Sequence, residues 1–198
     1  MASITTGYVD RELVKKVLQL KDVDEWDDFI DHLLDAVVKA IDEFTGRTFF
    51  HTQSETRWFP GRGGTRLRID DLTSLDTLSV DVDGDGTFEV TLGQSDYVLT
   101  PLNTSPKEAV QLRGDASLDA FPHWSEAVEI TASWGWPQIP SDVSHAALMT
   151  VTRWFKRRDV DYVDASTTGN QRILDPDVQT LLKPLQKSSG RALGVIGG

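Results

Sequence analysis

Three aspartates spaced two residues apart, Asp81, Asp83 and Asp85, are the side chains best suited to hold a metal ion. Calcium loops place carboxylates at positions 1, 3 and 5 before an obligatory glycine, and this stretch begins in the same way. Position 12, which should supply a bidentate glutamate, is Leu92, and Glu89 falls at the weaker position 9. The flanking residues alternate as strands do, and Asp-Gly is a strong hairpin signal. We therefore predict a hairpin turn, with calcium binding as the alternative.

Patterns that would indicate catalysis do not occur in the sequence. The chain has no cysteine, which excludes disulfides and thiolate metal sites. Its four histidines show no metal-ligand spacing, and no Gly-x-Ser-x-Gly elbow is found. The run Gly61-Arg62-Gly63-Gly64 resembles a phosphate loop in composition but lacks the following Lys-Ser/Thr. We predict a protein that is not an enzyme and that uses no cofactor or metal.

The formal net charge of −11 is unevenly distributed along the 198 residues. Residues 1–149 are acidic, whereas residues 150–198 carry eight Lys and Arg against five Asp and Glu. Binding to DNA phosphates depends on Lys and Arg, so DNA binding as the main role is disfavoured. The basic C-terminal part instead favours an acidic partner. No apolar run approaches the roughly 20 residues that cross a bilayer, so we predict no membrane partner.

Apolar residues recur every three or four positions near the N-terminus and predict two helices. The first covers residues 10–20, with Asp10 as its N-terminal cap. The second is longer, starts near Asp24 and stops at Gly46. Acidic residues crowd its first turns, where the helix dipole favours anions.

Between about residues 54 and 134 the apolar period changes from 3.6 to 2, which predicts strands. We expect strands at Glu55–Phe59, Thr65–Ile69, Leu75–Asp83, Thr87–Leu92, Tyr97–Thr100, Val110–Arg113 and Ala127–Trp134. Their short, regular spacing favours antiparallel hairpins in a small sandwich or barrel. Helices on both sides in sequence make this module an insertion into a helical unit. The predicted class is α+β, with a helical connector domain at 1–52 and 135–184, a β-domain at 53–134 and an extended arm at 185–198.

The stretch 131–158 joins the predicted β-module to a third helix. Trp134, Trp136 and Pro137 bracket a Gly-Pro turn and are interpreted as an aromatic hinge, with a sugar-stacking platform as the alternative. The third helix starts at Ser141 and ends in the cations Lys156-Arg157-Arg158. A short fourth helix is expected from Asp175 or Pro176 to about Leu182.

Two segments carry a resemblance to a known family. They are A-I-D-E-F-T-G-R-T-F at 40–49 and I-T-A-S-W-G-W-P-Q-I-P-S-D-V-S-H-A-A-L-M-T-V-T-R-W-F-K-R-R at 130–158. The pairing resembles the head–tail connector (adaptor) proteins of tailed bacteriophages, in which a helical unit holds a variable β-insertion. The resemblance implies a ring, commonly dodecameric, bound beneath the portal of the DNA-filled head. Such a ring extends the DNA channel and docks the next neck or tail protein. The chain would be made in the host cytoplasm and located in the virion neck.

The charge distribution suggests how copies would meet in such a ring. A basic helix end would face the acidic helix of the next subunit, with Arg153, Lys156, Arg157 and Arg158 on one side and Asp27 and Asp31 on the other. Acidic channel walls would let DNA pass without specific binding. The C-terminal arm would contact the portal through Arg191, Leu193, Val195 and Ile196. Two alternatives stay open: a calcium-dependent β-rich binding module, and another neck or tail completion protein such as a stopper.

Overall fold

Two compact units make up the chain. The helical unit comprises Met1–Arg47 and Ile139–Gly198, and the sheet unit comprises Thr48–Gln138. The computed structural model describes residues 7–157 and 174–187. Its helices and antiparallel sheet confirm the predicted α+β class. Within those residues, no helix is long and apolar enough to cross a membrane.

The helical unit contains the four predicted helices. They are α1 (Arg11–Val17), α2 (Asp27–Thr45), α3 (Ser141–Arg157) and α4 (Pro176–Leu182), and a 3₁₀ turn at Lys183–Leu185 follows α4. The Asp10 carboxylate caps α1 by accepting a hydrogen bond from the Glu12 amide at 2.9 Å. Helix α1 is shorter than predicted because it ends at Val17, and Gln19, with φ of +60°, has the left-handed conformation that does not continue a helix.

Helix α2 buries one apolar face in the helical unit. Ile30, Leu34, Val37 and Ile41 are each at most 1% exposed, as their i, i+4, i+7 spacing predicts. The helix begins at Asp27, three residues later than predicted. It ends at Gly46, whose φ of +66° places it in the left-handed region that terminates helices. Phe29 lies 5.9 Å from Phe155 of α3 between ring centroids, so aromatic side chains join the two helices.

The sheet unit is one six-stranded antiparallel sheet. Its strands are β1 (Thr52–Phe59), β2 (Arg66–Val80), β3 (Val90–Thr91), β4 (Tyr97–Thr100), β5 (Lys107–Leu112) and β6 (Val128–Trp134). They lie in the order β1-β6-β2-β5-β4, and β3 pairs with β2. One buried core gathers residues from both halves of β2, among them Leu67, Ile69, Leu78 and Val80, and the sandwich or barrel stays a prediction. Strand β6 shows why the period-2 pattern was informative, since its buried and partly exposed residues alternate along its whole length.

Strand β2 is a single element where the sequence predicted two. Its first half pairs with β5 and its second half with β6, and Leu72 is opposite a residue of each neighbour. Asp71 lies in the middle, is 5% exposed, and accepts a hydrogen bond from the Trp136 indole Nε1 at 2.9 Å. This hydrogen bond helps to satisfy a carboxylate that the strand holds away from water.

Candidate functional site

The connection between β2 and β3, residues 81–89, is called the acidic loop below. The antiparallel pairing of Ser79 with Thr91 and of Val80 with Val90 confirms the predicted hairpin. The connecting loop is longer than predicted because β3 starts at Val90 instead of Thr87. Three aspartates and Glu89 lie in the acidic loop, so negative charge is concentrated at one end of the sheet.

Asp81 organises the acidic loop from inside. It is 2% exposed, and its Oδ1 accepts hydrogen bonds from the amides of Asp83 at 3.2 Å and Gly84 at 2.6 Å. Its Oδ2 accepts a third hydrogen bond, from the Gly86 amide at 3.0 Å. These three bonds satisfy a carboxylate that would otherwise be buried without partners. The loop conformation is therefore explained by Asp81 without a cation.

The other carboxylates of the acidic loop are exposed. Asp83 and Asp85 each accept a hydrogen bond from the amide two residues further on, at 3.2 Å and 2.7 Å. Glu89 reaches back to the Val82 amide at 3.3 Å. One oxygen from each of Asp81, Asp83, Asp85 and Glu89 lies within 4.8 Å of the others. This convergence is the geometric basis for keeping calcium binding as an alternative.

A cleft of about 410 Å³ lies beside the acidic loop, and sequence reasoning did not find it. Its lining combines aromatic rings with carboxylates: Trp58, Asp81, Gly84, Gly86, Phe88, Trp124, Ser125 and Glu126. We call it the aromatic–acidic cleft. Trp58, on β1, is 56% exposed, and its indole Nε1 donates to the Glu129 carboxylate at 3.1 Å. Trp58, an exposed tryptophan on β1 that is paired with Glu129 on the adjacent strand β6, was not identified from the sequence as a site residue.

The glycine run at 61–64 supports this cleft and does not form a phosphate loop. The Gly61 amide donates to the Trp124 carbonyl at 3.0 Å, and the Gly63 amide donates to the Pro122 carbonyl at 3.1 Å. A β-carbon on Gly61 would lie 1.8 Å from the Pro122 carbonyl oxygen. Glycine at 61 is therefore required by the close approach of the segment that carries Trp124.

The acidic residues predicted for a ring interface have partners inside the chain. The Lys15 ammonium, on a residue 3% exposed, lies 2.7 Å from Asp27 and 3.2 Å from Asp24. Its hydrogen bond to Asp27 is the main cause of the raised pKa of Lys15. Asp31 accepts a hydrogen bond from the Arg11 guanidinium at 2.7 Å. Asp27 and Asp31 thus connect α1 to α2 within one copy.

Some of the basic residues at the end of α3 also form ion pairs within the chain. Arg153 contacts Asp175 at 2.9 Å and makes two hydrogen bonds to Asp177. These bonds raise the pKa of Arg153 and lower the pKa of Asp177 to about 2. Arg157 lies 3.4 Å from the Asp175 carboxylate. Asp175 and Asp177 were not identified from the sequence as the partners of Arg153 and Arg157. Both acids lie at the start of the predicted fourth helix.

Charges without a partner among the described residues remain on both helices. Asp28 and Asp35, seven residues apart on α2, are exposed, as is Lys156 on α3. Within residues 7–157 and 174–187, none of the three forms a salt bridge with another side chain. Arg158 lies outside the described residues. The acids predicted for the contact, Asp27 and Asp31, are paired within the chain, whereas Asp28, Asp35 and Lys156 leave charges of both signs exposed on the same two helices.

The residues predicted as a hinge have local functions in the sheet unit. Trp134 is 1% exposed, and its indole Nε1 donates to the Glu55 carbonyl at 2.8 Å. Trp136 donates to Asp71, and its ring centroid lies 5.4 Å from that of Phe49. Pro137 is exposed. Both indoles are held by hydrogen bonds and packing, which disfavours the sugar-stacking alternative.

The segment after α4 is fixed to the end of α2. The Arg47 side chain donates to the Leu185 carbonyl at 2.6 Å, and the Lys187 amide donates to the Thr45 carbonyl at 2.7 Å. The Gln186 side-chain Nε2 donates to the Phe44 carbonyl at 2.9 Å. Residues 185–187, assigned to the arm from the sequence, are thus packed on the helical unit. The arm residues Arg191, Leu193, Val195 and Ile196 lie outside the described residues.

Comparison with known proteins gives a structural likeness only. No protein-family model and no curated protein matches the sequence. A solved structure of the neck of an empty GTA particle, computed with C6 symmetry, contains a similar chain at 15% identity. The match covers 97% of this chain and 92% of that chain, with a TM-score of 0.57. A chain from the virion of a native gene transfer agent (GTA) particle is 22% identical over 88% of this chain and 84% of that chain, with a TM-score of 0.48. The first comparison shows that this chain shares the fold of a chain from a particle neck.

Proposed function

We propose that this chain is a structural neck protein of a tailed bacteriophage or phage-like particle. The observation that carries the proposal is the fold shared with a neck chain over 97% of the residues, including both the helical unit and the sheet unit. The resemblance of segments 40–49 and 130–158 to head–tail connector proteins supports the same conclusion from the sequence alone. The specific role proposed is that of the adaptor, which extends the portal channel and docks the next neck protein.

A ring of identical copies follows from this role. The GTA particle neck that contains the similar chain was computed with C6 symmetry. A ring of six subunits and a ring of twelve subunits both satisfy this symmetry. Each copy would present Lys156 to the Asp28 and Asp35 face of the next copy, since these charges lack partners among the described residues. A head-to-tail contact of this type closes into a ring when the rotation per subunit permits.

The remaining partners are proposed from charge and chain direction. A chain with a net charge of −11 offers few cations to phosphates, so DNA would pass through the ring without specific binding. The arm would begin after Lys187, because residues 185–187 are held against α2. Residues 188–198 would then reach the portal or a neighbouring subunit.

Purified particles provide the direct test. We expect quantitative mass spectrometry to detect the chain in mature particles at six or twelve copies, and cryo-electron microscopy to place it at the head–tail junction. Particles made without the gene should retain heads that lack attached tails. Mature particles that lack the chain would contradict the proposal.

The second candidate is a calcium-dependent binding module, favoured by the convergence of four carboxylates in the acidic loop. Calorimetry with calcium on chelator-treated protein distinguishes the two candidates. Micromolar binding that is lost in Asp83→Asn with Asp85→Asn would favour this candidate, because both side chains are exposed and their loss should not unfold the loop. The adaptor proposal expects no calcium binding in this range.

A further inference from the structure

We propose that the aromatic–acidic cleft binds a cationic side chain, lysine or arginine, of a different protein. The cleft lies wholly within the sheet unit and has a volume of about 410 Å³, within the range of ligand sites. The proposal does not depend on the adaptor role, because no residue of the helical unit takes part.

The aromatic part of the cleft suits a cation. Trp58, Phe88 and Trp124 line it, and Trp58 is 56% exposed although large apolar side chains usually avoid water. A guanidinium or ammonium over an indole face is attracted by the ring quadrupole. The hydrogen bond from Trp58 Nε1 to Glu129 restrains the indole and places a carboxylate at its edge. An exposed, restrained tryptophan is typical of a binding surface.

The charge of the cleft selects a cation over a neutral ligand. Glu126 lines the cleft, and the acidic loop adds Asp83, Asp85 and Glu89 beside it. Within the described part of the chain, none of these four carboxylates pairs with Lys or Arg. An arriving cation would relieve the repulsion among them, whereas a sugar would leave it unchanged.

Trp124 adds a second indole ring to the lining of the cleft. Its Nε1 is buried and has no hydrogen-bond acceptor among the described residues, so an occupant of the cleft would contact other atoms of this side chain. A calcium ion would satisfy the carboxylates but offers nothing to the rings. A basic side chain satisfies both the carboxylates and the rings.

The test uses the full chain labelled with ¹⁵N, because each tryptophan indole gives its own NMR signal. The probe is acetyl-Gly-Arg-Gly-Arg-Gly-amide, and the matched probe replaces both arginines with glutamine. We expect the arginine peptide to shift the Trp58 and Trp124 indole signals in a saturable manner, and the shifts to weaken at high salt. Equal shifts with the glutamine peptide, or no shift at millimolar peptide, would overturn the proposal.

Variants locate the site. Trp58→Ala and Glu126→Gln change exposed side chains and should each weaken peptide binding about tenfold or more, whereas Asp115→Asn, an exposed acid outside the cleft, should not. If Trp58→Ala does not fold, Glu126→Gln alone decides. Calcium and maltose, which would fit a metal site and a sugar site, serve as competitors. Displacement of the peptide by calcium is expected at most weakly, and tighter binding of maltose than of the arginine peptide would contradict the proposed chemistry. Wild-type affinity in both variants would contradict the proposed location.

Discussion

Arg153 donates one hydrogen bond to each carboxylate oxygen of Asp177, with Nη1 2.8 Å from Oδ1 and Nη2 2.5 Å from Oδ2. Nη1 also lies 2.9 Å from Asp175, the residue immediately before α4. A helix of seven residues is marginal by itself, so α4 depends on contacts of this type and on its buried Val178 and Leu182. The pair between α3 and α4 therefore fixes where the last described helix begins.

Replacement of Arg153 should separate the effect of its charge from the effect of its paired hydrogen bonds to Asp177. Arg153→Lys keeps the charge but cannot bond both oxygens of Asp177 in parallel, so we expect it to recover only part of the stabilisation lost in Arg153→Ala. For Arg153→Ala we expect Tm to fall by up to about 4 °C, because the pair is partly exposed. Thermal melts check this, and equal Tm values for all three proteins would contradict it.

The pH dependence of the same pair has a defined sign. Arg153 lowers the pKa of Asp177 from 3.8 to about 2, mainly through their hydrogen bonds. Because the folded pKa is below the unfolded pKa, the stabilisation is present above about pH 4 and is lost as the pH falls through 2. In Arg153→Gln, we expect the NMR titration midpoint of the Asp177 carboxyl to rise toward its ordinary value. An unchanged midpoint would contradict the assigned cause.

The helices were predictable because each has its own local signals. The stripe on α2, the cap at Asp10 and the stop at Gly46 are all properties of neighbouring residues. Strand β2 was not predictable in the same way. The buried Asp71 in its middle accepts a hydrogen bond from Trp136, which lies 65 residues away in the sequence. A single sequence does not show such long-range partners.

The candidate sites also differ in whether their residues are close together in the sequence. The acidic loop was visible because Asp81, Asp83 and Asp85 are close in sequence, and the structure keeps them together. The aromatic–acidic cleft was not visible, since Trp58 and Trp124 come from separate segments that the Gly61 close approach brings together. The ring-interface residues were selected by charge alone, which does not reveal that Asp27 and Asp31 are already paired with α1.

Two glycines of one loop should respond differently to the same substitution. Gly61→Ala places a β-carbon 1.8 Å from the Pro122 carbonyl oxygen, so the backbone must move. We expect the free energy of unfolding to fall by at least about 2 kcal/mol. Gly64→Ala meets nothing within 4 Å and should change stability by less than about 1 kcal/mol. Urea unfolding measures both. Equal effects would contradict the close approach that shapes the cleft.

Truncation after Lys187 should separate folding from attachment. Residues 185–187 bond to the end of α2, so a chain that retains them should keep the wild-type Tm. Loss of residues 188–198 should weaken attachment to the portal if they form the proposed arm. Co-sedimentation with portal-bearing heads checks this. Truncation before Leu185 is the contrasting control, because it removes the acceptor of Arg47 and should lower Tm.

Charge reversal tests the proposed ring contact. Lys156 on α3 and Asp35 on α2 are exposed and lack salt-bridge partners among the described residues, so each is free to meet the opposite charge on the next copy. Lys156→Glu or Asp35→Lys alone creates a like-charge contact at every interface of the ring. We expect each to reduce incorporation into particles about tenfold or more, a cost of about 1.4 kcal/mol. Quantitative mass spectrometry of particles complemented with each variant gives the measurement.

The double variant distinguishes a specific contact from a general effect of charge. Lys156→Glu combined with Asp35→Lys restores opposite signs across the interface and leaves the net charge unchanged, so incorporation should return toward the wild-type level. Asp115→Lys, an exposed change in the sheet unit, should incorporate normally. If the double variant incorporates no better than the single variants, Lys156 and Asp35 do not face each other. Wild-type incorporation of both single variants would remove charge pairing at these positions from the account of ring assembly.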